Sequence, residues 1–179
     1  HSSAGTAAGG LTRRGVPAFD IAGAIPEGAE ITRVEVTLFM SRSIAGEESV
    51  ALHRLLEGWG EGDSEAPGSE GDGADPSPGD ATWRHTFFDT AYWATEGGVY
   101  DPASSAAAPV DGGGYYTWGS TPGLLADVQA WLDDPSANHG WAVVGNESVS
   151  TTAKRFDSRE NGDEARRPAL LVGYALTCA

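Results

Sequence analysis

The stretch AIPEGAEITRVEVTLFM, residues 24–40, decides the fold prediction for this chain. A turn at Pro26-Glu27-Gly28 leads into a segment in which apolar side chains recur at every second position: Val34, Val36, Leu38 and Met40. Alternation with a period of two is typical of a strand that buries one face in a core and exposes the other to water. The sequence therefore predicts a long, half-buried β-strand here.

Further short strands are predicted on both sides of this one. The strand-like segments are 16–21, 49–56, 81–88, 141–145, 151–157 and 169–176, whereas 94–114 reads mostly as loop. One helix is predicted at about 123–133, because Thr121 and Pro122 form a typical helix start and the apolar residues that follow have helical spacing. Many short strands, turn-rich connections and one short helix predict an all-β fold, an antiparallel β-sandwich of jelly-roll type.

The length of 179 residues suits a single domain with a full hydrophobic core. Residues 1–10, HSSAGTAAGG, are small and polar and are predicted to form a flexible N-terminal tail, which leaves 11–179 as the domain. Within it, residues 58–80 form a long acidic loop rich in Gly and Pro. A loop of this length in a compact domain is usually functional or disordered.

Charge and cysteine content exclude several classes of function. The net charge of −15 argues against nucleic acid, whose binding depends on Lys and Arg that neutralise phosphates, and it favours divalent cations and neutral or cationic partners. No run of 18 apolar residues occurs, so no membrane insertion is expected. Cys178 is the only cysteine, which excludes an internal disulfide and a cysteine-based zinc site.

Carboxylates in the acidic loop and near the C-terminal end could bind calcium. Calcium takes six to eight oxygen ligands in a flexible cage, and glycines let the backbone turn tightly around it. No EF-hand spacing occurs, so a solvated acidic loop is the alternative interpretation. The candidate ligands are Asp63, Glu65, Asp72, Asp75, Asp80, Asp157 and Glu160.

Aromatic residues suggest a sugar-binding surface. Sugar rings stack on exposed indole and phenol faces, while polar groups hydrogen-bond the hydroxyls. Trp131 lies on the apolar face of the predicted helix, and Trp83 and Trp141 lie in predicted strands, so these three are assigned to the core. The candidates for a carbohydrate-binding platform lie in loop-like sequence: Trp93, Tyr115, Tyr116 and Trp118.

The segment KRFDSRE, residues 154–160, sets charges of both signs beside a predicted core strand. This arrangement predicts a structural ionic cluster of Arg155, Asp157, Arg159 and Glu160 at one end of the sandwich, with a metal site as the alternative. We expect Arg159 and Glu160 to be largely buried there. No G-x-S-x-G motif occurs, and with 26 acidic residues no particular carboxylate pair stands out, so the sequence does not favour an enzyme.

Five fragments in order resemble the DNRLRE-domain family. They are RRGVPAFDIAGAIPEGAEITRVEVTLFM, GWGEGDS, GDATWRHTFF, LLADVQAWLDDPSANHGW and KRFDSRE with RPALLVGY, and together they span about Leu11 to Tyr174. The family's literal letters do not occur, and FDSRE is the nearest string. Positions that match the family motifs are Trp131, Asn138, Gly140, Trp141, Phe156, Ser158, Arg159, Glu160 and Pro168. The resemblance implies structural roles for most of them.

The resemblance also implies a secreted or cell-surface, extracellular β-sandwich module, some of whose relatives bind carbohydrate. Family members usually begin with an additional strand, and here only the tail of 1–10 precedes Leu11. Two hypotheses follow. The first is a non-catalytic module that binds polysaccharide, with structural calcium. The second is a self-assembling subunit of a filament or surface layer, in which the N-terminal tail or a donated strand is ordered on a neighbouring copy.

Overall fold

A computed structural model describes residues 1–64 and 74–176 of the chain. These residues form eleven strands, one α-helix and two short 3₁₀ turns, Pro135–Ala137 and Glu164–Arg166. The elements in chain order are β1 Ser2–Thr6, β2 Thr12–Arg13, β3 Ala29–Arg42, β4 Glu48–Arg54, β5 His85–Phe87, β6 Ala91–Tyr92, β7 Ala106–Val110, β8 Gly114–Trp118, α1 Pro122–Asp133, β9 Trp141–Val144, β10 Lys154–Phe156 and β11 Ala169–Leu176. The expected all-β class with one short helix is confirmed.

The strands pair antiparallel throughout and form two main sheets. The larger sheet has the order β11-β3-β10-β1-β2, with β8 also paired to β3, and the smaller has the order β7-β4-β9. Strands β5 and β6 make a separate hairpin. Residues of β3 and β4, including Val36 and Leu52, belong to one buried cluster, so the two sheets pack face to face in a sandwich-like arrangement.

Strand β3 is the central element of the larger sheet, as its alternating pattern predicts. Its inward residues Val34, Val36, Leu38 and Met40 are all buried. It is long enough to pair with β11 along its first half and with β10 and β8 along its second. One strand therefore ties together the C-terminal strand, the N-terminal strand through β10, and the helix that follows β8.

Helix α1 lies against β3 and protects part of its backbone. The side chain of Thr121 caps the helix by accepting a hydrogen bond from the Leu124 backbone N–H at 3.2 Å, and Pro122 is the first helical residue. On the opposite end of the helix, Gln129 accepts a hydrogen bond from the Ile31 N–H at 2.9 Å and donates one to the Ala29 carbonyl at 3.2 Å. The helix thus satisfies backbone groups that no strand pairs with.

The expectation of a flexible N-terminal tail is wrong for residues 2–6. They form β1, which pairs with β10 on one side and β2 on the other, and Ala4 is fully buried. Small residues suit this position because the backbone packs closely: a Cβ on Gly5 would lie 3.1 Å from the Thr152 carbonyl oxygen. The chain therefore supplies from its own residues a strand that the family comparison suggested was missing.

Three local predictions also differ from the structure. Residues 16–21 form no strand, and only Gly15 bridges to β9, at Val143. The predicted strand 81–88 shortens to β5, whereas β7 and β8 lie within segments that read as loop. Of the acidic loop 58–80, the described parts, 58–64 and 74–80, contain neither helix nor strand. Within the described residues, no helix is both long and apolar enough to cross a membrane.

Candidate functional site

The predicted aromatic platform does not form. Trp118 and Trp93 are only 1% and 7% exposed, because alternation in β8 turns Trp118 into the sandwich core and Trp93 packs in a second small core with Leu55. Their indole N–H groups donate to backbone carbonyls of Val50 and Thr82, at 2.8 and 2.9 Å. The assignment of Trp118 to a binding platform is therefore wrong, whereas Trp93 is buried but contributes to the lining of an open cleft.

The two tyrosines of the predicted platform face opposite sides of the larger sheet. Tyr116 packs against the core, and its hydroxyl accepts from the Asp111 N–H at 3.0 Å and donates to the Gly112 carbonyl at 2.7 Å. Tyr115 is 55% exposed on the outer face, in an edge-to-face contact with Phe39 at 4.8 Å between ring centroids. Only Tyr115 keeps the exposure that stacking on a sugar requires.

The predicted metal ligands are dispersed over the structure. Glu65 and Asp72 lie outside the described residues; Asp63, Asp75 and Glu160 are exposed, and Asp157 is buried at a different place. In residues 1–64 and 74–176, no group of three His, Cys, Asp or Glu side chains is arranged to hold a metal ion.

Asp80 has a structural role at the base of the acidic loop. Its carboxylate accepts hydrogen bonds from the backbone N–H groups of Ser77 at 2.6 Å and Asp63 at 3.1 Å. Burial alone would raise the pKa of Asp80, but hydrogen bonds from Ser64, Ser77 and Asp63 outweigh it and hold the pKa below its ordinary value. Because amide donors occupy both oxygens, this carboxylate closes the loop and is not placed as a cation ligand.

The expected ionic cluster is divided between core and surface. The side chains of Arg159 and Glu160 are 69% and 75% exposed, so the prediction that they are buried is wrong. Arg159 pairs with Glu160 at 3.0 Å and with Glu61 at 2.7 Å. Strand β10 ends at Phe156, and the chain then turns over the surface, which places these charges in water.

Asp157 and Arg155 are separated from that surface pair. Asp157 is buried, its backbone N–H donates to the Phe39 carbonyl at 3.0 Å, and its Oδ1 lies 3.0 Å from His1 Nε2. Arg155 is half-buried, and its Nε donates to the Ser41 hydroxyl at 3.2 Å. Asp157 and Arg155 thus contact His1 and Ser41, whereas Arg159 and Glu160 lie in solvent.

Lys154 is a buried charged residue that the sequence analysis did not identify as a candidate. It is the only lysine and is fully buried, and its ammonium group donates to three backbone carbonyls, of Ala45 at 3.2 Å, Gly46 at 2.5 Å and Asp111 at 2.9 Å. Burial lowers its pKa, while the charges of Asp111 and Glu48 act in the opposite direction. The lysine fastens two surface turns to the sandwich. Its inward position in β10, two residues before the buried Phe156, is the signal that sequence reasoning could have used.

A second buried polar group, Asp127 on α1, is also structural. Its Oδ2 accepts from the Ser105 hydroxyl at 2.5 Å and from the Trp141 indole N–H at 2.8 Å. Arg54 Nε lies 3.7 Å from the other oxygen. The carboxylate connects the helix to the smaller sheet, since Arg54 and Trp141 belong to β4 and β9 and Ser105 directly precedes β7.

The feature best suited to a ligand is an open cleft of about 480 Å³ beside the N-terminal strands. Strands β1 and β2 and the residues after them form one wall, and residues 81–83 with Trp59 form the other. The volume lies within the range of roughly 300–1,000 Å³ of typical ligand pockets. We call this feature the Trp83 cleft, defined by Trp59, Trp83, Arg13, Arg14 and Arg155 among its lining residues.

Trp83 is held rigidly although it is 40% exposed. The guanidinium of Arg14 lies 4.9 Å from the centroid of the Trp83 ring and 5.1 Å from that of Tyr100. Arg14 is itself fixed, because its Nε and one terminal nitrogen each bind Glu147 at 2.6 Å and the other donates to the Gly97 carbonyl at 2.8 Å. The hydrogen bond to Glu147 raises the pKa of Arg14, with burial acting against it. The assignment of Trp83 to the core is wrong.

The floor of the cleft is continuous with a second cavity. Trp59 is half-buried, and its indole N–H donates to the His139 carbonyl at 2.8 Å. A neighbouring cavity of about 390 Å³ shares five lining residues with the Trp83 cleft, Ser2, Val16, Trp59, Glu61 and Ser158. The two cavities therefore adjoin each other along these residues.

The charge of the cleft differs from that of the whole chain. Arg13, Arg14 and Arg155 line it, with Glu61 as its one carboxylate among the described residues, whereas the chain as a whole carries −15. The preference for cationic partners that the net charge suggests therefore does not apply at this cleft. Hydroxyl groups of Ser3, Thr12 and other small residues line it as well.

Comparison with known proteins adds no assignment. No protein-family model matches the chain, and no curated protein matches it. The resemblance to DNRLRE-domain proteins therefore rests on the five sequence fragments alone.

Proposed function

We propose that this protein is a non-catalytic, extracellular module that binds polysaccharide in the Trp83 cleft. The observation that carries the proposal is the presentation of Trp83, which is exposed to solvent yet fixed by Arg14 at the border of a cleft. A ring that is already immobile loses little conformational entropy when a ligand stacks on it. This distinguishes Trp83 from an exposed aromatic residue on a free loop.

The chemistry of the cleft suits a sugar chain. The indole of Trp83 offers an apolar face to the C–H side of a sugar ring, and hydroxyl and guanidinium groups nearby can hydrogen-bond its hydroxyls. The adjoining cavity extends the available space beyond the Trp83 cleft. Arg14 is ion-paired with Glu147, and the two other arginines of the cleft, Arg13 and Arg155, favour neutral or anionic polymers over cationic ones at this site.

A non-catalytic role is supported by the carboxylates of the cleft. Hydrolysis of a glycosidic bond ordinarily uses two carboxyl groups on either side of the scissile bond. Among the described residues, Glu61 is the one carboxylate that lines the Trp83 cleft, and it is ion-paired with Arg159 at 2.7 Å. The neighbouring cavity adds Asp20 and Asp157, and Asp157 is engaged with His1 at 3.0 Å. Structural calcium stays part of the proposal, and we test it by measuring binding and unfolding with calcium and with a chelator.

The test is isothermal titration with a panel of soluble neutral and uronic-acid polysaccharides. We expect Trp83→Ala to weaken binding by about tenfold or more, because lost stacking of about 1.4 kcal/mol corresponds to that factor. Tyr115→Ala is the matched control, since it removes an exposed aromatic ring from a different face and should leave affinity unchanged. Failure of every polysaccharide to bind, or loss of binding only in Tyr115→Ala, would overturn the proposal.

One observation argues against part of the second hypothesis, in which the protein is a self-assembling subunit. This hypothesis supposed that the N-terminal tail of one copy is ordered on the next, but residues 2–6 pair with β10 and β2 of their own chain. No partner strand is needed to complete the sheet at that position. Self-association through β11, at the other end of the same sheet, depends on different observations.

A further inference from the structure

Strand β11 combines an apolar sequence with an exposed position. Its eight residues, ALLVGYAL, carry no charge, and none is buried. Three of its large side chains, Leu171, Tyr174 and Leu176, are exposed to solvent. A strand in the core would bury such residues, and a strand on the surface would ordinarily carry charged or polar ones.

Within residues 1–64 and 74–176, no strand pairs with the outer backbone edge of β11. Among the described residues its strand partner is β3, and β11 is the first strand in the order of the larger sheet. In an antiparallel pair, every second residue directs its N–H and C=O away from the neighbouring strand. About half of the eight residues of β11 therefore present such groups, along a strand of about 27 Å. β11 contains none of the lysines or prolines by which edge strands usually avoid pairing.

A shallow apolar groove accompanies this edge on the inner side of the sheet. It has a volume of about 360 Å³ and is lined mainly by apolar residues, among them Phe19, Ile21, Ile25, Leu170, Val172 and Tyr174, with Asp20 as a charged lining residue. Leu170 and Val172 are only half-buried, although they point to the same side as the core residues of β3. An added strand would cover this face as well as the backbone edge.

We propose that β11 pairs antiparallel with β11 of a second copy of this chain, so that the larger sheet continues across a two-fold axis. Side chains stay on matching faces only if the pairing is centred on a residue. Centred on Val172, it places Leu170 opposite Tyr174 on the groove side and Leu171 opposite Gly173 on the outer side. The strand is therefore complementary to itself.

Electrostatics favour this edge over other surfaces for contact between copies. Two chains of −15 repel each other, but β11 carries no charge. Three charged residues of β3 lie next to β11: Arg33 and Glu35, which pair with each other at 2.7 Å, and Glu30, which lies beside Ala175. Pairing of β11 with itself sets uncharged side chains opposite one another, and Glu30 stays one strand away from the contact. Since the residual repulsion acts at longer range, salt should strengthen the association.

The symmetry of the contact determines how many copies the assembly contains. A two-fold contact uses the same strand from both copies, so it closes at two and leaves no free β11 edge. The expected assembly is a dimer, whereas the filament of the second hypothesis requires contacts that do not close. This inference does not depend on polysaccharide binding, because β11 does not line the Trp83 cleft.

The primary test is sedimentation velocity on the full chain from about 1 µM to about 1 mM, at low and high salt. We expect a species of twice the chain mass of 18.5 kDa, with a dimer fraction that rises with salt. Leu171→Lys places a charge at the edge and should raise the dissociation constant at least about tenfold. Ile44→Lys makes the same change at an exposed residue elsewhere and should leave the constant unchanged.

The pairing register is tested by cross-linking. In a Cys178→Ser background, Val172→Cys should form a disulfide-linked dimer on mild oxidation, since the two residues face each other across the axis. Ile44→Cys in the same background is the control and should not cross-link. A monomer at every concentration, a species heavier than a dimer, or a dimer that Leu171→Lys leaves intact would overturn the proposal. Absence of the Val172 cross-link would overturn this register.

Discussion

Replacement of Lys154 by methionine tests how much the buried ammonium contributes to the fold. In the wild type, the ammonium group of Lys154 donates hydrogen bonds to the carbonyls of Ala45, Gly46 and Asp111. Lys154→Met keeps a similar apolar stem and removes this group. Hydrogen bonds from a charged donor contribute roughly 1.5–3 kcal/mol each, and a buried acceptor left without a partner costs about 1–3 kcal/mol.

Two effects reduce the loss of stability that Lys154→Met causes. Gly46 and Asp111 are at exposed positions, so water can reach part of the vacated site, and the ammonium no longer has to be desolvated. We therefore expect the free energy of unfolding to fall by about 3 kcal/mol. For a chain of this size that corresponds to a decrease in Tm of roughly 6–12 °C.

The assay is urea unfolding followed by tryptophan fluorescence, with Arg42→Met as the control. Arg42 is an exposed cation at the end of β3, so its replacement removes one positive charge without opening a buried site. We expect the control to shift the free energy of unfolding by less than about 0.5 kcal/mol. If Lys154→Met unfolds at the same urea concentration as the control, the ammonium does not hold the two turns, and the reasoning is refuted.

Alkaline pH gives a second readout of the same residue. Burial lowers the pKa of Lys154 below its ordinary 10.5, so in the interval between the two values the unfolded chain binds more protons than the folded one. The contribution of Lys154 to stability therefore rises with pH across this interval. The difference in the pH dependence of unfolding between wild type and Lys154→Met isolates it.

Two further predictions concern the acidic residues and the surface ion pairs. Hydrogen bonds hold the pKa of Asp80 below its ordinary 3.8, so its contribution is present above that pH and is lost as pH falls through the folded value. Asp80→Asn should lower the free energy of unfolding at neutral pH by about 1–3 kcal/mol and should make this free energy less dependent on pH in the acid range. The control Asp75→Asn, at an exposed position, should have neither effect. If calorimetry gives the same acid dependence for both variants, the prediction is contradicted. Arg159→Ala should change the free energy of unfolding by less than about 1 kcal/mol, because its ion pairs are exposed. A loss above about 3 kcal/mol in the same measurement would mean that the arginine belongs to a buried network after all.

The regular elements were predictable where the sequence carries a strong local period. The alternation from Val34 to Met40 predicts β3 and its buried face, and Thr121-Pro122 followed by apolar residues at helical spacing predicts α1 within a residue of its start. Strand β7, AAAPV, was missed because Ala and Pro weaken its local signal. Strand β8, GYYTW, carries strand-favouring Tyr, Thr and Trp, but it directly follows glycines that are typical of a loop. Both strands form because β4 and β3 offer them paired backbone edges.

The candidate site was less predictable, since exposure depends on distant partners. The sequence places Trp83 in a predicted core strand and Trp118 in a predicted loop, yet Trp83 borders a cleft and Trp118 fills the core. Trp83 owes its fixed position to Arg14, which in turn binds Glu147, 133 residues further along the chain. No local pattern encodes a contact over such a separation.

The sequence by itself determined the all-β class, the central strand, the single helix and the net charge, because each follows from local periodicity or from composition. Only the tertiary structure decided which aromatic rings meet solvent, that residues 2–6 complete the sheet, and that Lys154 is buried while Arg159 is not. These features depend on which segments the fold brings together. Their energies come from burial and from hydrogen bonds between residues far apart in the chain, so they appear only once the sheets have packed.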